Sequence, residues 1–80
     1  MSVKDAVVIS FKEICEKKNI RPNELATLSG VTPSTVYSMM DKRRRQLSIL
    51  TIKKLCDGLD MTLSEFFTAK IFDELEQEIQ

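Results

Sequence analysis

Eighty residues, 42% of them apolar, suffice for one small core and are too apolar for a disordered chain. Twelve basic residues balance twelve acidic ones and histidine is absent, so neither a global polycation nor a histidine-based catalytic or metal site is available. Two glycines, two prolines and an abundance of Leu, Ile, Lys and Glu favour long helices, and no run approaches the roughly 20 apolar residues of a membrane span.

Val3, Val7, Phe11, Ile14 and Cys15 recur at helical spacing among Lys4, Asp5, Lys12, Glu13 and Glu16. This predicts an amphipathic first helix ending near Lys18 and Asn19. Pro22 then suits the first turn of a second helix, Leu25, Ala26 and Leu28 give it a short apolar face, and Gly30 suits a left-handed stop. Thr32 is placed to cap a third helix that Pro33 opens. Its inward stripe is Val36, Met39 and Met40, with Ser34, Thr35, Tyr37 and Ser38 on the other side. After the polar loop "DKRRRQLS", the stretch "ILTIKKLCDGL" reads as a fourth helix with Ile52, Leu55, Cys56 and Leu59 inside. Thr62 and Glu65 have the spacing of a capping box for a fifth helix through Phe66 and Phe67, and Ile71, Phe72, Leu75 and Ile79 continue a helical stripe. The expected architecture is all-α, five or six helices on one core.

The segment start "MSVKDAVVIS" lacks the basic and long apolar regions of a signal peptide, so a cytoplasmic location is expected. Cys15 and Cys56 are far apart and in no metal-like spacing; they read as buried thiols in a reducing compartment. With no metal cluster, glycine-rich phosphate loop or Ser/His/Asp set, neither an enzyme nor a cofactor is expected.

Charge is uneven along the chain. Residues 42 to 54 hold six cations (Lys42, Arg43, Arg44, Arg45, Lys53, Lys54) and no acid, while the tail sets Asp73, Glu74, Glu76 and Glu78 against Lys70. Local fields follow these segments, because screening sets in beyond roughly 8 Å at physiological salt.

Two short helices joined by "LSGVT" carry the functional signal. Ala26 permits a close crossing, Gly30 a tight turn, Val31 plugs that turn, and Val36 anchors the second helix from beneath. This is helix-turn-helix spacing, a motif whose second helix enters the DNA major groove. Through "NELATLSGVTPSTVYSM" and "IKKLCDGLDMTLSEFF", residues 11 to 67 resemble the lambda-repressor-like, Cro-type helix-turn-helix family of bacterial and phage regulators. The resemblance implies a five-helix DNA-binding domain over residues 1–69. Residues 70–80 would form a C-terminal acidic amphipathic helix.

It also implies a site. The reading face of the third helix falls on Pro33, Ser34, Thr35, Tyr37 and Ser38, with Thr32 near a phosphate. The face carries no Arg, Gln or Asn for a bidentate base contact, so modest base discrimination with a share of shape readout is expected. Lys42, Arg43, Arg44 and Arg45 follow where the family's loop runs along the DNA backbone; they would neutralise phosphates and add salt dependence. Where the family commonly has Gln at the start of the second helix this chain has Pro22, leaving Asn23 or Arg21 to substitute. An Arg–Glu pair common between the first and third helices aligns with Cys15 and Met40, an apolar exchange that bears on stability. The loop after the third helix is one residue longer than usual and lacks the common Gly and Pro.

The expected partner is double-stranded DNA with a palindromic operator, bound by a homodimer through Ile71, Phe72, Leu75 and Ile79, the acidic face pointing to solvent and away from DNA. The plainer alternative has the tail folding back on its own core. The main functional expectation is a sequence-specific transcriptional regulator, a repressor. A competing one is a protein-interaction module, such as the antitoxin of a toxin–antitoxin pair with a protein partner.

Overall fold

The structure, a computed structural model, describes residues 1–44 and 46–79. Five α-helices, α1 (Val3–Lys18), α2 (Pro22–Ser29), α3 (Pro33–Met40), α4 (Ile49–Gly58) and α5 (Leu63–Phe67), precede a 3-10 helix at Lys70–Glu74, and the described residues contain no strand. Arg45, the last cation of the basic run, lies outside the described residues.

Local chemistry accounts for the helix boundaries. Ser2 caps α1: its Oγ accepts the Asp5 N–H at 3.1 Å and its own N–H donates to the Asp5 carboxylate at 3.2 Å. Asn19 ends α1 in the left-handed region at φ 55°, a conformation asparagine tolerates. Gly30 ends α2 at φ 68°, and the Val31 N–H closes the turn on the Ala26 carbonyl at 3.1 Å. Thr62 and Glu65 make the expected reciprocal cap of α5, at 3.0 and 2.9 Å. Hydrogen bonding from the Thr62 backbone to the ionised form lowers the Glu65 pKa.

The core gathers Val7, Phe11 and Cys15 of α1, Leu25 and Ala26 of α2, Val36 and Met39 of α3, Ile52, Leu55 and Cys56 of α4, and Phe66 of α5. All four phenylalanines join in one cluster. Phe11 stacks on Phe66 with centroids 4.4 Å apart, and Phe72 reaches Phe67 at 4.8 Å and Phe66 at 5.6 Å. Both cysteines are free and buried, and burial raises both thiol pKa values.

Two expectations change. Val3, placed inside from sequence, is 44% exposed, and Lys4 at 7% takes the buried position, with Ala6 and Ser10 beside the apolar stripe. Val7, Phe11 and Cys15 still face inward, so only the first turn differs, where the Lys4 ammonium has carbonyl partners. The tail is helical only through Glu74; Leu75 is extended at φ −79°, ψ 145°. Phe72 is drawn into its own chain's aromatic cluster. Beyond it the strand-like tail meets the start of α1, where the Glu76 N–H donates to the Met1 carbonyl at 3.2 Å and the Glu76 carboxylate pairs with the Met1 amine at 3.0 Å. Ile71 and Leu75 are half-buried, and Ile79 is exposed.

The placement of α2 on α4 depends on Gly58. A Cβ there would lie 2.3 Å from Ser29 Oγ and 2.9 Å from Leu28 C and Ser29 Cα. The backbones therefore approach as closely as glycine permits, and Ser29 Oγ is buried at this contact with no hydrogen-bond partner among the described residues. Gly58→Ala is expected to destabilise the fold by about 1–2 kcal/mol, the overpacking cost outweighing the roughly 1 kcal/mol that alanine gains in helix propensity. A lower urea midpoint would bear this out; an unchanged or higher midpoint would contradict the close contact.

Candidate nucleic-acid interface

The candidate site begins with α3, whose two faces differ completely. Val36 and Met39 are 0% and 3% exposed, docked into the core. On the opposite side Pro33, Ser34 and Tyr37 are exposed, with Thr35 and Ser38 half-buried at its edge. The helix starts where expected: Thr32 Oγ1 accepts the Thr35 N–H at 3.3 Å and lies 3.1 Å from the Thr35 hydroxyl. Thr32 is therefore already committed to capping, with its remaining hydrogen-bonding capacity facing outward.

Asn23 and Tyr37 meet across the motif. The Tyr37 hydroxyl donates to Asn23 Oδ1 at 3.0 Å, joining the first turn of α2 to the middle of α3. Both side chains are exposed, so the pair braces the two helices on their outer surface.

The loop brings Lys42, Arg43 and Arg44 to the surface beside α3. Its electrostatics are less one-sided than the run of cations implies. Asp41, the residue just before the run, holds Arg43: the guanidinium donates from Nε at 3.1 Å and from Nη2 at 3.0 Å, and the Arg43 N–H donates to the same carboxylate at 2.9 Å. The Arg43 side-chain hydrogen bonds, followed by the one from its backbone, lower the Asp41 pKa to about 2, and the pairing raises that of Arg43. A depressed carboxylate stabilises the fold above its unfolded pKa, near 4, and loses that contribution as pH falls toward about 2. Asp41 is therefore ionised at neutral pH, and Arg43 is internally compensated. Lys53 is likewise paired with Asp57 one turn along α4.

Three-dimensional proximity adds residues that sequence spacing did not single out. Ser34, Thr35 and Ser38 of α3 share a shallow groove with Arg44 and Gln46 of the loop and Ser48 and Thr51 at the start of α4. Gln46 matters most, because it places beside the reading face the amide that the face itself lacks. Its only sequence signal was its position next to the cations. The acidic tail also departs from expectation. Glu76 and Glu78 line a cleft together with Lys42 and Arg44, because Glu76 is held at the amino terminus beside the loop. Glu76 and Glu78 thus lie beside the basic loop, where the whole acidic face was expected to point to solvent and away from DNA.

Other chemistries find little here. Among the described residues no group of three or more His, Cys, Asp or Glu side chains is placed to hold a metal ion, and no helix is long and apolar enough to cross a membrane.

What remains is a short helix presenting hydroxyls and a tyrosine, flanked by a cationic loop, on a five-helix core. The description of the Cro/C1-type helix-turn-helix DNA-binding domain matches residues 10–70. The chain belongs to the Cro/C1-type helix-turn-helix DNA-binding family. Its fold is similar to the crystal structure of the prophage Lp1 protein 11, at a TM-score of 0.78 and 31% identity, over 86% of this chain and 92% of that one. A search of curated protein sequences finds no match. The all-α, lambda-repressor-like fold expected from sequence is thereby borne out. In this Cro/C1-type domain a buried Cys15 and a half-buried Met40 pack on the same core.

Asp41 holds Arg43; if Arg43 meets a DNA phosphate, Asp41→Asn should tighten binding to any duplex and steepen the slope of log affinity against log salt by up to about one. Fluorescence anisotropy over a salt series measures both. Unchanged affinity and slope would place Arg43 off the DNA.

Proposed function

We propose that this Cro/C1-type domain is a sequence-specific regulator of transcription, acting as a repressor in the cytoplasm. It would lay α3 in the major groove and the loop from Lys42 to Gln46 along the phosphate backbone. The observation that carries this reading is the continuity of the two parts: the polar face of α3 and the loop side chains Arg44 and Gln46 line one groove. A major groove about 12 Å wide accepts a helix, and the adjoining cations then meet phosphates without further rearrangement.

Specificity in this reading is divided. Ser34, Thr35 and Ser38 offer hydroxyls, which accept or donate to several bases and discriminate weakly. Tyr37 offers a ring edge for a thymine methyl, held in direction by Asn23. Gln46 supplies the amide best suited to an adenine edge. Thr32, Pro33 and Asn23 lie where the ends of α2 and α3 would approach the backbone, and Arg43 and Arg44 would add sequence-independent affinity.

A single domain of this size covers one half-site, so two copies on a palindromic operator are part of the proposal. Phe72 is occupied by its own core. The tail side chains left to contact a second copy are therefore Ile71, Leu75 and the exposed Ile79.

The test is selection from a random duplex pool, with affinity followed over a salt series. The expected result is steeply salt-dependent binding with enrichment of an inverted repeat whose half-sites are centred about one helical turn apart. Salt-dependent binding without an enriched sequence would overturn the regulatory reading and leave a nonspecific anchor.

A further inference from the structure

Lys4 is a charged side chain in an unexpected place. It sits on the first turn of α1, is 7% exposed, and shares its surroundings with Val3, Val7 and Met40. Its ammonium donates to the Asp41 carbonyl at 2.5 Å and to the Arg44 carbonyl. A buried ammonium is strongly unfavourable unless its hydrogens are all directed at good acceptors. Here the acceptors are backbone groups nearly half the chain away in sequence.

Those two carbonyls bracket Lys42 and Arg43. Asp41 is the residue that ends α3, where helix carbonyls lack partners and the helix dipole favours a cation. The Arg44 N–H also returns to the Asp41 carbonyl at 3.1 Å, closing a turn around the same point. The segment from Asp41 to Ser48 contains neither glycine nor proline, and its described residues form no helix or strand. Asp41 sets its first turn, the carboxylate accepting from the Arg43 N–H and the carbonyl from the Arg44 N–H. The Lys4 ammonium ties that turn to α1, because a path that moves either carbonyl away removes an acceptor from a largely buried charge.

We propose that Lys4 is a positioning residue for DNA binding. From the interior it fixes the loop that holds Lys42, Arg43 and Arg44 beside the reading helix, and it does not touch DNA itself. This rests on the DNA-reading role proposed above. Lys4 thus adds a direct hydrogen-bonded tie between α1 and the loop, whose Lys42 already shares a cleft with Asp5, Val8 and Lys12 of α1.

The experiment is a double-mutant cycle on the full chain. Lys4→Met keeps the aliphatic stem and removes the donors. It is combined with a background in which Lys42, Arg43 and Arg44 are all alanine, and affinity for a random-sequence duplex is measured by anisotropy at low salt. The expected result is about a tenfold loss from Lys4→Met in the native loop and no further loss in the alanine background. Equal losses in both backgrounds, or no loss in the native loop, would overturn the proposal. Amide hydrogen exchange provides a second readout. Residues 42–44 should exchange faster in Lys4→Met, or in the milder Lys4→Gln if the first variant does not fold, while Leu25, Val36 and Leu55 keep their protection. Unaltered loop exchange would also refute the positioning role. A native chain that bound no duplex would remove the DNA-reading premise, and the exchange measurement would still decide whether Lys4 holds the loop.

Discussion

An eight-residue helix cannot stand alone in water, and both helices of the central motif have eight residues. Isolated helices shorter than about 12–15 residues are marginal even in favourable sequences. Helix α3 therefore depends on Val36 and Met39 being held in the core, and that docking also decides its rotation. With those two residues inward, Ser34 and Tyr37 can only point outward. Gly30 fixes the turn that delivers the chain to this position, and Gly58 lets α2 lie against α4 closely enough to support it. The cost of Ser29's buried, unpartnered hydroxyl is accepted at that contact.

Electrostatics then refine what packing has arranged. A chain with no net charge can still carry a nucleic-acid surface, because fields are local. Yet several cations of the basic segment are moderated. Asp41 chelates Arg43, Asp57 takes Lys53, and Glu76 and Glu78 stand across a cleft from Lys42 and Arg44. Such compensation reduces the charge available for sequence-independent phosphate contact, which fits the selective DNA reading proposed above.

The helices were legible in the sequence because their signals are local. Thr32–Pro33, Gly30, and the Thr62–Glu65 box each act within one turn, and the 3.6-residue period of α4 assigns Ile52, Leu55 and Cys56 correctly to the core. What escaped was long-range. Lys4 reads as a solvent-facing charge in any local window, since its partners lie 37 and 40 residues away. Gly58 looks like an ordinary helix terminus until Ser29 is placed against it. The tail's apolar spacing fits a helix through Ile79, but Phe72 binds its own aromatic cluster and the amino terminus captures Glu76, so only one short 3-10 segment forms. The outward face of α3 follows residue by residue from the helical period, whereas Gln46 and Thr51 join its groove only once the loop is folded.

The most direct test of the central claim is a map of backbone amide shifts in the isotopically labelled protein as a short duplex is titrated in at low salt. The account predicts that the largest changes fall on residues 32–38 and 42–48, with smaller ones at Asn23 and little at α5. Changes concentrated instead on α5 and the tail, with α3 unmoved, would contradict it.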